Sequence, residues 1–151
     1  MKRPERCNVI FVMGTIDVFV YGTLKPGGTY HQQFCVPYLK KSQPAQVRGL
    51  LYDLPTLGYP AMTTGDGWVK GYVFTLDETA MAGLDYLEGY TPDGCETLHR
   101  DDDFEEEYIR QRATVFDLAG RPMGEAWVYV MGQPPDGAVL LPEGNWTLPR
   151  V

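Results

Sequence analysis

A glycine-rich loop that follows a short apolar segment is the first part of this 151-residue chain that could do chemistry. The apolar segment is Val18–Tyr21, and its β-branched and aromatic residues are typical of a buried strand. The loop, Gly22–Gly28, contains three glycines and a proline, which end the strand and allow a sharp turn. Backbone N–H groups in such a loop can bind a carboxylate, a phosphate or an oxyanion. A tight turn without a binding role is the alternative.

Neither of the common phosphate-binding motifs fits this loop. The P-loop pattern G-x-x-x-x-G-K-[ST] is matched at Gly22, Gly27 and Thr29, but Gly28 occupies the position of the required lysine. The dinucleotide fingerprint G-x-G-x-x-G is absent. The sequence therefore does not predict a nucleotide site here.

Glu88 is the second candidate, near the end of a helix predicted over Asp77–Tyr90. The first residue of this range is a good N-cap, and apolar residues recur at helical spacing at Ala80, Leu84 and Leu87. Glu88 lies beside this stripe, so partial burial could favour its neutral form and suit it to general acid–base catalysis. We expect Asp85, three residues earlier, to orient the site or to cap a neighbour rather than to react. For Glu88, a solvated carboxylate at a helix end is the alternative.

The remaining reactive residue types predict no metal site and no cofactor. The chain has three cysteines but no C-x-x-C pair, namely Cys7, Cys35 and Cys95. Cys35 lies in an apolar stretch and is expected in the core. The two histidines, His31 and His99, are far apart, and the acidic run 101–107 lacks the spacing of a calcium loop. The single serine lies in no G-x-S-x-G motif.

Composition favours one β-rich domain that binds a small molecule. The chain carries 17 glycines and 12 prolines, which imply many turns, and its net charge of −7 opposes binding to nucleic acid or to an anionic membrane. No apolar stretch approaches the ~20 residues of a membrane span, and the cysteine pattern favours a cytoplasmic location. Nothing indicates the oligomeric state.

The amino terminus resembles a signal peptide, with basic residues before the apolar run Val9–Met13, but this run is short and no cleavage site follows. We expect residues 1–16 to form an extension, either disordered or an extra strand, and residues 17–151 to form the domain. Alternatively, Met13 is the working start.

The elements that must position the loop and Glu88 are mostly strands. Strands are predicted at Ala45–Leu54, Trp68–Leu76, Glu107–Asp117 and Gly124–Met131, the last two as a hairpin. A short helix is expected within Thr29–Lys41, an extended connection at Leu57–Met62 and a loop-like tail from Gln133. Gly49 and Gly71 suit places where another backbone approaches closely. The predicted fold is α+β, a small and mostly antiparallel β-barrel flanked by helices.

Several ordered blocks resemble the gamma-glutamylcyclotransferase-like family. They cover most of residues 17–146 and comprise Val18–Leu24, Gly49–Leu54, Tyr59–Ala61, Val69–Phe74, Leu84–Tyr90 and Tyr108–Arg110. The segment Glu143–Trp146 is similar to a Gly-Asp-Trp ending of bacterial members, with Asn145 in place of the aspartate. The loop lacks the additional asparagine of glutathione-pathway members, so the chain looks closer to the gamma-glutamylamine and bacterial branches.

The resemblance implies a barrel in which the loop faces a catalytic glutamate across a cavity. Carried over by position, Tyr21 and Gly22–Leu24 would bind the γ-glutamyl group, and Glu88 would be the general acid/base. Tyr108 and Arg110 are expected to project to one face of their strand and could both line the pocket. Equally, Tyr108 could be an aromatic that lines the barrel, and Arg110 could be one partner of a cross-strand ion pair.

The implied reaction is an intramolecular acyl transfer. The α-amine of a γ-glutamyl amide attacks its own γ-carbonyl, which releases 5-oxoproline and a free amine. Such a reaction requires no enzyme nucleophile, metal or cofactor, only a proton carrier and donors for the oxyanion and the carboxylate. A non-catalytic module that binds a small ligand or a partner and retains the fold is the alternative.

Overall fold

The structure, a computed structural model, describes residues 14–88 and 108–147. Its strands are β1 (Thr15–Val20), β2 (Leu39–Leu54), β3 (Tyr59–Asp77), β4 (Ile109–Phe116), β5 (Pro122–Val130) and β6 (Val139–Leu140). Its helices are α1 (His31–Phe34) and α2 (Ala80–Glu88), and a 3₁₀ turn follows α1 at Val36–Tyr38. Most of the predicted N-terminal extension and the acidic run 101–107 lie outside the described residues.

Five strands close into a ring. β1 pairs with β3 and β5, β5 with β4, β4 with β2, and β2 with β3, while β6 adds to β2 outside the ring. Among the described strands the β1–β5 pair is parallel and the other pairs are antiparallel. This closed and mostly antiparallel sheet with two helices agrees with the predicted α+β class and barrel-like architecture.

The ring encloses one hydrophobic core, and a second core lies between the ring and α2. Alternate residues of a strand point to opposite faces, so β1 contributes to both cores. Phe19 and Tyr21 belong to the inner core, whereas Val18 and Val20 pack with Ala80 and Leu84 of α2. Cys35 is fully buried in this outer core, as expected. The strand that leads into the glycine-rich loop is therefore fixed on both faces.

β2 and β3 form a long antiparallel hairpin, and both strands are longer than predicted. The predicted extended connection 57–62 divides into a turn, which ends at Gly58, and the start of β3, because Tyr59–Met62 pairs with the end of β2. β2 begins at Leu39 rather than Ala45, since its polar first residues pair with β3. The hairpin predicted between β4 and β5 is confirmed.

Gly71 confirms the expectation of a close backbone approach. A Cβ atom at Gly71 would lie 2.0 Å from the carbonyl oxygen of Val20, so a side chain there would force β1 and β3 apart. Gly49 lies at an irregularity in the β2–β3 pairing, and a Cβ atom there would lie 2.9 Å from the carbonyl oxygen of Thr63. These glycines allow the strands of the ring to bend and cross closely.

The predicted central helix is α2, which begins at Ala80 rather than Asp77. Asp77 is the last residue of β3, and its Oδ1 accepts hydrogen bonds from the Thr79 backbone N–H (2.9 Å) and hydroxyl (2.8 Å). This local turn delays the start of the helix by three residues. The predicted helix end at Gly89 lies outside the described residues. The helix expected within 29–41 is α1 with the 3₁₀ turn, which contains Pro37. Within the described segments, no helix has the length and hydrophobicity to span a membrane.

Candidate active site

A cavity of about 160 Å³ lies where the loop after β1, the start of β3 and the end of α2 meet. Its walls include all six residues that the sequence predicted for the site: Tyr21, Gly22, Thr23, Leu24, Glu88 and Tyr108. Phe19, Val20, Tyr30, Tyr59, Pro60, Leu87 and Tyr129 complete the lining. Drug-sized ligands occupy pockets of about 300–1,000 Å³, so this cavity suits a small group.

The loop is held in shape by its own backbone. The Lys25 N–H donates to the carbonyl of Gly22 (2.9 Å), and the Tyr30 N–H donates to the carbonyl of Thr23 (3.0 Å). The Gly28 N–H donates to the carbonyl of Lys25 (2.7 Å), and a Cβ atom at Gly28 would lie 2.2 Å from the Thr23 carbonyl oxygen. A glycine at position 28 therefore allows the loop to fold back on itself.

Three N–H groups of this loop make no hydrogen bond to any described residue. They belong to Gly22, Thr23 and Leu24, all of which line the cavity. The carbonyls of Gly22 and Thr23 accept bonds from the N–H groups of Lys25 and Tyr30, and that of Leu24 accepts one from the His31 Nδ1 (2.9 Å), so the acceptors are occupied. Adjacent amide donors on a cavity wall are suited to bind an anionic oxygen.

Glu88, the last residue of α2, lies on the cavity wall together with this loop. Its side chain is partly buried, as its position beside the apolar stripe predicted. Glu88 is the one carboxylate among the described residues that line the cavity. Its negative charge acts on two tyrosines of the same wall, Tyr21 and Tyr129.

Those two phenols are buried and hydrogen-bonded. The Tyr21 hydroxyl donates to the backbone carbonyl of Tyr129 (2.6 Å), and the Tyr129 hydroxyl donates to Asp85 Oδ1 (2.6 Å). Burial is the main cause that raises the pKa of each phenol well above its ordinary value, and the Glu88 charge adds to it. Both phenols therefore stay neutral in the physiological range.

Asp85 lies behind the cavity wall in an ion pair. The Arg110 Nη1 lies 2.9 Å from Asp85 Oδ2, and the exposed fractions of the two side chains are 14% and 7%. Burial raises the pKa of Asp85, while the bonds from Tyr129 and Arg110 oppose that rise. Asp85 thus connects α2 to β4 and β5, one helical turn before Glu88.

Tyr108 and Arg110, expected to share a face, have different roles. The buried Tyr108 lines the cavity, and its hydroxyl donates to the carbonyl of Pro60 (2.8 Å). Arg110 does not line the cavity; it pairs with Asp85 of α2 and stacks 4.7 Å over the ring centre of Trp127. Arg110 is therefore an ion-pair partner, as the alternative interpretation of the sequence proposed, but its partner Asp85 lies on α2 rather than on a neighbouring strand.

The described histidines, cysteines and carboxylates form no cluster that could hold a metal ion. The site consists of one carboxylate, a row of backbone donors and aromatic walls. Such a set can bind an anionic group and exchange a proton with a bound substrate.

A comparison with protein-family models matches residues 18–148 to the family described as "Gamma-glutamyl cyclotransferase, AIG2-like". The chain belongs to this family. The matched range begins in β1 and includes every residue of the cavity wall named above. The family resemblance seen in the sequence is thereby confirmed.

Similar sequences and folds occur in bacteria and in a mammal. The chain is 34% identical to the gamma-glutamylcyclotransferase family protein YtfP of Escherichia coli, over 85% of this chain and 94% of that protein. The crystal structure of an AIG2-like protein from Mus musculus has the same fold, with a TM-score of 0.64, 19% identity and 89% of each chain covered. YkqA from Bacillus subtilis matches with a TM-score of 0.61 and 21% identity, over 87% of this chain but 39% of that protein.

Tyr129 and Tyr59 are two of the seven wall residues that the sequence did not predict as site residues. Tyr129 lies in β5 and reaches the cavity only because β5 pairs with β1. Tyr59 was within the predicted connection, but it begins β3. The order of aromatic residues in the strands gave no signal that these two would share a cavity with Glu88.

Proposed function

We propose that the chain is a γ-glutamyl cyclotransferase that releases 5-oxoproline and a free amine from a small γ-glutamyl amide. The α-amine of the substrate attacks the γ-carbonyl carbon, so a new C–N bond closes a five-membered lactam and the amide C–N bond breaks. Glu88 takes protons from the α-nitrogen and returns them to the departing nitrogen. In total, two protons move from the α-ammonium group to the departing nitrogen, so the amine leaves as an ammonium ion.

The observation that carries this proposal is that one partly buried carboxylate and three available backbone donors share one small cavity. The donors of Gly22–Leu24 would bind the substrate carboxylate or the oxyanion that forms at the γ-carbonyl. Glu88 would exchange protons within the same enclosed volume. The family match supports the cyclotransferase class, and the geometry supports the role of each group.

Three of the five tyrosines of the wall support Glu88 as the proton carrier. The hydroxyls of Tyr21, Tyr108 and Tyr129 each donate to a protein oxygen. A hydroxyl that is committed to a protein acceptor, with a pKa raised as in Tyr21 and Tyr129, is a poor base at neutral pH. Proton exchange is then assigned to Glu88, where a positioned acid/base typically contributes about 10²–10⁴ in rate.

The test is turnover of a panel of γ-glutamyl amino acids, γ-glutamyl-lysine and glutathione, with 5-oxoproline measured as the product. The wild-type protein should form 5-oxoproline from at least one of them. Glu88→Gln, which preserves the shape of the side chain, should reduce kcat by about 10²–10⁴. Glu78→Gln, placed just before α2 and outside the cavity wall, is the matched control and should leave turnover unchanged.

Two outcomes would overturn the proposal. The first is a Glu88→Gln variant that turns over substrate as fast as the wild type. The second is a wild-type protein that binds γ-glutamyl compounds by calorimetry but produces no 5-oxoproline from any member of the panel. That second result would favour a ligand-binding module that retains the fold.

A further inference from the structure

Lys25 connects the substrate-binding loop to the C-terminal segment. Its backbone N–H and carbonyl are both used within the loop, in the bonds to Gly22 and Gly28. Its side chain leaves the loop, and Nζ donates to the backbone carbonyl of Trp146 (2.6 Å) across 121 residues of sequence. Lys25 does not line the cavity. Its two backbone bonds fix its place in the loop, and its side-chain bond joins the loop to a distant part of the fold.

The acceptor of this bond is itself firmly held. Trp146 is 4% exposed and belongs to the inner core of the ring. Its indole Nε1–H donates to Asp53 Oδ1 on β2 (3.0 Å). The Trp146 carbonyl is therefore placed by core packing and by a side-chain hydrogen bond, and it is a fixed anchor rather than part of a loose tail.

The residues just before Trp146 pack directly on β3. The carbonyl of Gly144 accepts a bond from the Lys70 N–H (2.7 Å), and the backbone at Gly144 has a φ of +68°. A Cβ atom at Gly144 would overlap the carbonyl oxygen of Trp68. This close approach requires glycine, and it fixes the segment that carries the anchor.

We propose that Lys25, Trp146 and Asp53 form a clamp that holds the loop in its binding conformation. The clamp rests on the proposed function, since it assigns the loop amides to the substrate. Its members are positioning residues, because none of them lines the cavity. Without the Lys25 bond the loop would retain its internal turns but would sample more conformations, and the substrate would have to order it.

The chemistry of the bond supports a positioning role. A charge-assisted hydrogen bond from an ammonium is stronger than a neutral one. Burial lowers the pKa of Lys25, so the ammonium occupies this position against a desolvation cost that the bond to Trp146 offsets. An exposed lysine would reach bulk water instead.

The test compares Lys25→Met, which removes the ammonium and keeps an apolar stem, with Lys25→Arg, which retains a cationic donor. Lys41→Met, an exposed lysine on β2, is the matched control. Hydrogen exchange of the hydrogen-bonded amides of Lys25, Gly28 and Tyr30 is measured first, because it does not depend on turnover. Lys25→Met should speed this exchange about tenfold, Lys25→Arg should restore most of the protection, and Lys41→Met should change nothing.

Kinetics give the second readout. Because a looser loop weakens substrate and transition state equally, Lys25→Met should raise KM about tenfold and change kcat less than about threefold. Trp146→Phe, which keeps an aromatic ring but removes the Nε1 donor, should shift exchange and KM in the same direction by a smaller factor. It serves as the test if Lys25→Met does not fold.

The two proposals can fail separately. A wild-type protein that forms no 5-oxoproline overturns the proposed function, while hydrogen exchange still decides the clamp. Unchanged exchange of the Lys25, Gly28 and Tyr30 amides in Lys25→Met, or an equal change in Lys41→Met, overturns the clamp. A fall in kcat with KM unchanged would assign the loop amides to the oxyanion rather than to the substrate carboxylate, and hydrogen exchange would then decide the clamp.

Discussion

Replacing Arg110 with methionine should destabilise the protein strongly at neutral pH. Arg110 is the cation paired with Asp85, and both side chains are largely shielded from water. Methionine keeps the apolar stem against Trp127 but leaves a buried carboxylate whose remaining bond comes from Tyr129. Removing one partner of a buried ion pair typically costs about 3–5 kcal/mol, because the other charge stays buried without compensation.

The protonation of Asp85 sets an upper limit to this cost. In the variant the carboxyl can bind a proton instead of remaining charged, and each pH unit above its ordinary pKa of 3.8 then costs about 1.4 kcal/mol. The limit is therefore about 4 kcal/mol at pH 7 and under about 2 kcal/mol at pH 5. A carboxyl whose pKa is raised by folding stabilises the folded state at pH values below its pKa in the unfolded chain. This stabilisation is lost as the pH rises through its pKa in the folded protein. The deficit of Arg110→Met should accordingly shrink on acidification.

Urea unfolding at pH 7 and pH 5 measures this difference, and Arg112→Met is a close control. Arg112 lies on the same strand and over the same tryptophan (5.1 Å), but its pair with Glu125 is exposed, at 49% and 57%. Its loss should cost about 0–1 kcal/mol at either pH. Adding Asp85→Asn to Arg110→Met should recover much of the stability at pH 7. Equal losses in the two arginine variants, or a deficit independent of pH, would refute the reasoning.

Two further predictions concern the core. Gly71→Ala should lower the free energy of unfolding by about 2–3 kcal/mol in urea, because the added Cβ would meet a carbonyl of β1. The control Gly132→Ala should be nearly neutral, since nothing lies within 4 Å of a Cβ atom at that position. Burial raises the pKa of Cys35 to about 12, so peptide-resolved alkylation at pH 8 should modify this thiol only as fast as the protein unfolds; rapid labelling of the native state would contradict its burial.

Local signals in the sequence predicted the parts of the site that depend on neighbouring residues. The strand before the loop, the turn glycines and the position of Glu88 beside an apolar stripe all follow from short-range patterns. The structure places the loop and Glu88 around one cavity, whereas the family resemblance implied more specifically that they face each other across it. Their roles in binding and catalysis stay predictions.

The remaining features of the fold and of the site depend on the pairing of strands that are distant in the sequence. The first residues of β2 are polar and have weak strand propensity, yet they form strand because β3 pairs with them. The bond between Tyr129 and Asp85 joins residues 44 apart, and Arg110 reaches Asp85 from 25 residues away. No periodicity in one sequence specifies such contacts, because they follow from the register of β4 and β5 and from the placement of α2.

In the proposed reaction, Tyr21 and Tyr129 keep their protons and only Glu88 exchanges protons with the substrate. Tyr21 and Tyr129 are neutral phenols fixed by hydrogen bonds, and the negative charge of Glu88 reinforces their neutrality. Because their protons are retained, they form walls that do not titrate with the substrate. Asp85, one turn before Glu88, ties α2 to the ring through Tyr129 and Arg110. The wall and the helix that carries the carboxylate are thus one hydrogen-bonded unit, so a change at Arg110 should reach Glu88 through its position rather than through contact.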